Sequence, residues 1–265
     1  MVNKFRLTNS TPVATPMVTG ATFSTADSPS TPMQVVCMCG IPYVEAIGSV
    51  LWPVIVSQPD AAFTVSILSQ FIQNPGPAHW EVLKRMIVFL RSMKDFWLTF
   101  GGRSKLPMEG FCDADWGGQK YRHSISSYSF HMGAGAISWS SKKQHVVALL
   151  STEAEYIMQM HMAKEVLWLR SFLWELCSAP DDPLILNCDN QGAIALAKDN
   201  KFHACTKHID VRYHFICEAV EDGKVMVQYI LTRDNISDIF TKPLTKAKFQ
   251  ELVELLRLCG ITCKV

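Results

Sequence analysis

Net charge is almost absent from this 265-residue chain: 25 Lys and Arg stand against 24 Asp and Glu, giving +1. Bulk charge therefore advertises neither nucleic acid nor membrane, and any binding face must come from local patterning. Charge of either sign is sparse, at 18% of residues against 48% hydrophobic, which excludes a chain disordered throughout and provides for a sizeable core. Long apolar runs are missing too. The longest, around Val50 to Val56, is interrupted by Pro53 and falls well short of the roughly 20 residues a membrane span needs. The opening MVNKFRLTNSTP lacks an apolar stretch of the secretory kind, so neither a signal peptide nor a transmembrane helix is expected. The nine cysteines, an odd count, show no repeated CxxC spacing. That argues against a secreted disulfide framework and for a reducing, intracellular compartment.

From Thr8 to about Pro32 the residues are mostly Thr, Ser, Pro and Gly, with no helical or alternating period, so an irregular arm is expected. Between Pro42 and Phe100 the pattern turns helical, over Tyr43 to Ile55, Asp60 to Ile72 and Trp80 to Lys94. In the third of these, Val82, Ile87, Leu90 and Met93 form an apolar stripe, while Lys84, Arg85, Arg91 and Lys94 gather on the other side. Taken alone, this basic amphipathic helix is an ordinary solvated face. After Gly101-Gly102 come short, turn-bounded runs of β-preferring residues, Met108 to Asp115, Ser126 to Met132 and Ala136 to Ser140, which predict an antiparallel meander.

A long helix follows, with Ser151 or Thr152 as its cap and Glu153 and Glu155 in its first turn, where the helix dipole favours anions. Its apolar pattern continues through Leu167, Trp168, Phe172 and Leu176. The remainder reads as a strand over Leu184 to Cys188, helices over Gln191 to Lys198 and His208 to Glu221, a strand over Val225 to Leu231, and a helical tail from Ser237 to Leu258 broken near Pro243. Such an order predicts an α/β (α+β) sheet with helices packed on it.

The acids stand at strand ends and helix starts: Asp113 and Asp115 in FCDADW, Glu153 and Glu155 in STEAEY, Asp189 in LNCDNQ, Asp234 and Asp238 in RDNISDIFTKPL. Carboxylates without interleaved His or Cys make a hard-oxygen site suited to Mg²⁺ or Mn²⁺ rather than Zn²⁺. Bringing them together is costly unless a cation is shared, so a cluster would be functional. Spacing alone favours the plainer alternative, caps and surface acids scattered over the sheet, because no single motif here has the specificity of a Walker loop.

Four motifs in order carry a resemblance. GFCDADW, AISWSSKKQHVVALLSTEAEY, CDNQGAIALAKDNKFHACTKHIDVRYHF and DNISDIFTKPL together resemble the ribonuclease H domain that ends copia-type retrotransposon Pol polyproteins. Upstream, PYVEAIGSVLW, SQPDAAFTVSILSQF and NPGPAHWEVLKRMIVFLRSMKDFWLTFGG are similar to the region linking reverse transcriptase to ribonuclease H, and FRLTNSTPVATPM to the segment past the polymerase palm. The resemblance covers nearly the whole chain. It implies an arm over 1–36 from the end of the reverse transcriptase region, a helical connection region over 37–105, and a ribonuclease H-like domain over 106–265 with a mixed five-stranded sheet flanked by helices.

The resemblance also implies an activity: cleavage of the RNA strand of RNA:DNA hybrids by four acids and two Mg²⁺ (or Mn²⁺) ions. Residue by residue, the acids would be Asp113 (with Asp115 as runner-up), Glu155 rather than Glu153, Asp189, and Asp238 (with Asp234 as its competitor). Lys142, Lys143, Lys207 and the Lys84, Arg85, Arg91 and Lys94 face would contact phosphates. His203 or His208 would be the auxiliary histidine, although their spacing around Cys205 also permits a zinc reading. The implied partners are the hybrid and a reverse transcriptase core encoded elsewhere, with no membrane, in retroelement particles of the cytoplasm or in the nucleus.

Departures from the family pattern matter as well. No Tyr-x-Asp-Asp polymerase turn occurs, so polymerisation by this chain is excluded. Ser57-Gln58-Pro59-Asp60 replaces Thr-Arg-Pro-Asp, Cys112 stands where Ser or Thr is usual, and Met158-Gln159-Met160 replaces Ala-Leu-Ser. These changes leave open a catalytically silent remnant that binds nucleic acid or serves a polymerase as an accessory subunit.

Overall fold

The computed structural model describes residues 1–101, 108–118, 123–133, 135–177, 182–198 and 215–260. In chain order its helices are α1 (Pro32–Met38), α2 (Tyr43–Val56), α3 (Ala62–Ser69), α4 (Pro77–Ser92), α5 (Ser151–Cys177), α6 (Gln191–Lys198), α7 (Phe215–Glu221) and α8 (Lys246–Leu255). Its strands are β1 (Phe96–Leu98), β2 (Glu109–Asp115), β3 (Ile125–Met132), β4 (Gly135–Lys143), β5 (Leu184–Cys188), β6 (Val225–Tyr229) and β7 (Leu258–Gly260). Two compact units result: Met1–Thr99 with the segment from Lys242 onward, and a second made of Phe100–Gly118 and His123–Thr241.

In the first unit α1 begins at Pro32, where the irregular arm was expected to end. Thr31 caps the helix by accepting from the Gln34 backbone N–H, and the Gln34 side chain reaches back to the Thr31 N–H, with proline at the first helical position. That reciprocal cap offsets the cost of starting so short a helix. Pro59 nucleates a 3₁₀ turn over Pro59–Ala61 ahead of α3, so the helix expected from Asp60 to Ile72 is broken and shortened. In α4, Leu83, Met86, Ile87 and Leu90 are buried along one stripe.

The opposite side of α4 is not a free basic face. Arg91 donates to the carbonyls of Leu7, Thr8 and Ser10, and Arg85 donates to the Thr15 carbonyl at 3.1 Å and its hydroxyl at 3.0 Å. Both guanidiniums thus hold the arm, satisfying backbone carbonyls that no strand or helix would pair. Lys84 pairs with Glu81 at 2.6 Å and Lys94 lies 3.9 Å from Asp95. The tail, expected to follow the sheet domain, clusters instead with these helices: β7 pairs antiparallel with β1, and Phe249 of α8 meets Phe89 of α4 edge-on.

The second unit is built on a five-stranded sheet in the order β4-β3-β2-β5-β6. β2, β3 and β4 form the antiparallel meander, whereas β5 runs parallel to β2 and β6 parallel to β5. Parallel neighbours need a crossover, and α5 supplies it between the meander and β5. Helix α5 packs on the sheet face carrying Cys112, Ala114 and Phe130, adding Tyr156, Met162 and Val166 to one buried core. A mixed five-stranded sheet flanked by helices in this order is a ribonuclease H-like fold. Its consequence for function is positional: β2 and β5 end side by side, so the residues after them meet at one edge. Among the described residues, no single helix is long and apolar enough to cross a membrane.

Candidate metal centre

Asp113 is buried near the end of β2 and Asp189 stands just beyond β5, while Glu155 is buried in the first turns of α5. One carboxylate oxygen from each lies within 4.8 Å of the other two. Three elements far apart in sequence thus deliver three acids to one point. Two of the acids are held from behind. The Ala114 backbone N–H donates to Glu155 Oε1 at 3.1 Å, fixing the helix to the strand, and Thr241 Oγ1 donates to Asp113 Oδ2. Ser127 Oγ bridges the Asp113 carbonyl, 3.3 Å away, and the Ser237 carbonyl, 3.1 Å away.

The electrostatics fit a cation. Burial, then the charges of Asp113 and Asp189, push the Glu155 carboxyl well above the usual carboxylate range, and only the Ala114 N–H pulls it down. Among the described residues Glu155 Oε2 has no hydrogen-bond partner although it is buried, an arrangement that costs stability unless something completes it. Three converging oxygens with no imidazole or thiolate among them suit a hard divalent cation such as Mg²⁺. The residues present fit that group.

Asp238, the fourth acid of the resemblance, is buried on the 3₁₀ turn Ile236–Phe240 but is not one of the three whose oxygens converge. It reaches the site indirectly, since its carbonyl oxygen lies 3.3 Å from Thr241 Oγ1. Asp115 shares a face of β2 with Asp113 without joining the cluster, and Asp234 is half-exposed beside Arg233 at 3.6 Å. Glu153 accepts from the Leu149 backbone N–H at 2.7 Å, so it serves the start of α5. Lys142 and Lys143 end β4. Lys207, His203, Cys205 and His208 lie outside the described residues.

Two contributors escaped the sequence reading. Asn235, fully buried, donates from Nδ2 to the Cys112 carbonyl at 2.7 Å and accepts from the Ser237 N–H at 3.1 Å, tying the DNISDIF segment to β2. Thr241 positions Asp113. Both lie inside the motif that was read, but motif position does not tell a ligand from a residue that holds one. Cys112 and Cys188, immediately ahead of Asp113 and Asp189, bring their sulfurs to 2.7 Å beneath the acids. That contact and burial push the Cys112 thiol up, so Cys112 acts as a small buried hydrophobe.

The fold and the acid cluster define a ribonuclease H-like protein with a candidate divalent-metal site. No family model matches the chain. It is 40% identical over 256 residues to the retrovirus-related Pol polyprotein from transposon TNT 1-94 of Nicotiana tabacum, an alignment covering 96% of this chain and 19% of that protein. With the corresponding polyprotein from transposon RE2 of Arabidopsis thaliana it shares 35% over 240 residues, 90% of this chain and 16% of that protein. It is also 41% identical over 133 residues to secreted RxLR effector protein 161 of Plasmopara viticola, covering 50% of this chain and 94% of that one. The chain is homologous, over about 90% of its length, to copia-type, retrovirus-related Pol polyproteins of plant transposons and spans under a fifth of the two polyproteins' lengths.

Proposed function

We propose that this chain is a metal-dependent ribonuclease H that cuts the RNA strand of RNA:DNA hybrids during retrotransposon replication. The observation that carries the reading is the convergence of Asp113, Glu155 and Asp189 within 4.8 Å, with a buried Glu155 oxygen left without a hydrogen-bond partner among the described residues. Asp113, Glu155 and Asp189 would hold two Mg²⁺ or Mn²⁺ ions, with Asp238 as the fourth acid. Bound there, the cations supply Lewis acidity to a phosphodiester and acidify a water molecule.

The chain's own residues do the rest. Thr241 orients Asp113 by holding one oxygen, so that the other is presented toward the cluster. The Ala114 N–H does the same for Glu155. Anchoring Asp113 and Glu155 from behind preorganises the site and keeps mutual repulsion from splaying it. Discrimination of the RNA strand would rest on its 2′-hydroxyls, and Lys142 and Lys143, at the end of β4, would contact phosphate. The test is Mg²⁺-dependent cleavage of a labelled hybrid by the purified chain, with Asp189→Asn as control. Cleavage in wild type and none in the variant is expected; no cleavage in either sinks the reading.

A further inference from the structure

Helix α5 buries one stripe, Met162, Val166 and Leu169, in the core of its unit, with Leu173 partly buried beside them. A second stripe faces water. Lys164, Trp168, Ser171, Phe172 and Glu175 recur at the three- and four-residue spacing of a single helix face, and all five are exposed. Trp168 is 58% exposed and Phe172 45%, yet the two rings lie flat on one another, with centroids 5.4 Å apart and planes inclined by 6°. The stack forms one contiguous apolar plate whose side chains are already ordered, so a partner can cover it without first freezing them.

The charges flanking the plate are of opposite sign. Lys164 stands a turn before Trp168 and Glu175 a turn beyond Phe172, and among the described residues neither is in an ion pair. Neighbouring charges are turned aside: Glu165 accepts from Ser138 Oγ at 2.7 Å, and Arg170 points to the carbonyls of Asp182 and Lys224, 3.4 and 3.5 Å away. Along the axis the face therefore runs cation, aromatic, small residue, aromatic, anion. Such an order is complementary to itself when two copies lie antiparallel. With Trp168 of one helix level with Phe172 of the second copy, a two-fold axis passes beside Ser171, whose small side chain permits close approach. In the same register Lys164 comes within one residue of level with Glu175 of the second copy, roughly 1.5 Å of rise, and the symmetry makes two such pairs. A parallel pairing would instead set lysine beside lysine and glutamate beside glutamate.

We propose that this face of α5 docks a second copy of the chain, the two helices pairing antiparallel about a two-fold axis beside Ser171. The aromatic plate supplies the centre of the interface and the Lys164–Glu175 pairs set its register. Five side chains per copy fall well short of the roughly 20–30 of a standard interface, so the dimer is weak, with a dissociation constant of about tens of micromolar. Trp168 lies about 20 Å along α5 from Glu155, so the pairing does not depend on the nuclease reading.

The test is sedimentation velocity of the full chain from about 1 to about 200 μM, a range that brackets a dimer of this strength. Wild type should pass from monomer to dimer across it. Trp168→Ala, Lys164→Glu and Glu175→Lys should each weaken association at least about tenfold, the charge reversals because symmetry places two like-charge pairs in the interface. Lys164→Glu/Glu175→Lys should restore it, since the pairs re-form with their signs exchanged. Trp174→Ala, which removes an exposed aromatic about 120° round the helix from Trp168, should leave association unchanged. A monomer at every concentration overturns the proposal, as does a dimer that survives Trp168→Ala. A double reversal that associates no better than either single one overturns the antiparallel register. If the chain stays monomeric while an RNA:DNA hybrid quenches a fluorescence that Trp168→Ala removes, the face belongs to nucleic acid and the second copy is overturned.

Discussion

Glu155 shows how one side chain carries both a liability and a use. Its carboxyl is buried against two other acids, so in the metal-free protein it raises the energy of the fold. Glu155→Gln keeps an oxygen for the Ala114 N–H while removing the charge. The variant should melt a few degrees higher than wild type without metal, since about 1 kcal/mol of relieved repulsion shifts a domain of this size by roughly 2–4 °C. It should also lose the Mg²⁺-induced rise in melting temperature that mass action gives a metal-binding wild type. Equal Mg²⁺ shifts in both proteins would remove Glu155 from the metal site. Gln159, one turn further along α5, is fully buried, and among the described residues its amide oxygen and nitrogen both lack hydrogen-bond partners. It stands where the family pattern has a small or apolar residue. Gln159→Met, which keeps the volume and removes the orphaned amide, should stabilise the chain by about 1–3 kcal/mol, read by chemical denaturation.

At the scale of elements, α4 illustrates how a pattern can be read correctly as a helix and still be assigned the wrong neighbours. Its basic residues lie on one side, as the 3.6-residue period requires, but Arg85 and Arg91 spend their donors on Thr15, Leu7, Thr8 and Ser10. Arg91→Ala should release the arm. The expected outcome is a loss of about 2 kcal/mol from hydrogen bonds to a charged donor, with proteolytic cleavage between Leu7 and Thr15 faster than in wild type. Unaltered cleavage there would mean that the arm is held by other contacts. Strand β2 raises the complementary point. Gly110 leaves room for the Met162 side chain and for the Phe130 ring, whose nearest carbon would sit 2.6 Å from an added Cβ. A glycine that weakens an isolated strand is therefore what lets α5 approach and bring Glu155 to Asp113.

Across the whole molecule two buried groups, one in each unit, answer pH in opposite senses. In the helical unit, burial lifts the Asp60 carboxyl up to about 7, so the folded state keeps a proton that the unfolded chain releases near its ordinary value of 3.8. The resulting stability is full below that value and is lost as pH rises through about 7. In the sheet unit, burial lowers His131 to about 4, so the unfolded chain binds a proton that the fold refuses. Stability there is present above about 6.5 and is lost as pH falls toward 4. Hydrogen exchange should therefore show α2–α4 loosening between pH 4 and 7, while the His131 contribution tightens β2 and β3 between pH 4 and 6.5. Asp60→Asn should abolish the first trend, worth on the order of 4 kcal/mol at full deprotonation, and leave the second unchanged. A first trend that persists in Asp60→Asn would assign it to another group.

The sheet's strands and the long α5 were legible in the chain because each depends on short-range pattern, alternation, a 3.6-residue period or a capping position, whereas the acids of the cluster were named only through the resemblance that the ordered motifs carry. Asp113, Glu155 and Asp189 could be named before any coordinates. Residues acting across long separations could not. Thr241 reaches Asp113 over 128 positions and Asn235 reaches Cys112 over 123, contacts that exist only once β2 lies under the DNISDIF turn. Nor did local pattern reveal that the tail from Lys242 returns to pair β7 with β1, since a three-residue strand has no period to read. Local sequence chose the elements and the kinds of atoms each could offer. Tertiary packing decided which donor meets which acid, because a hydrogen bond or a shared cation depends on distances of a few ångströms that no local preference specifies.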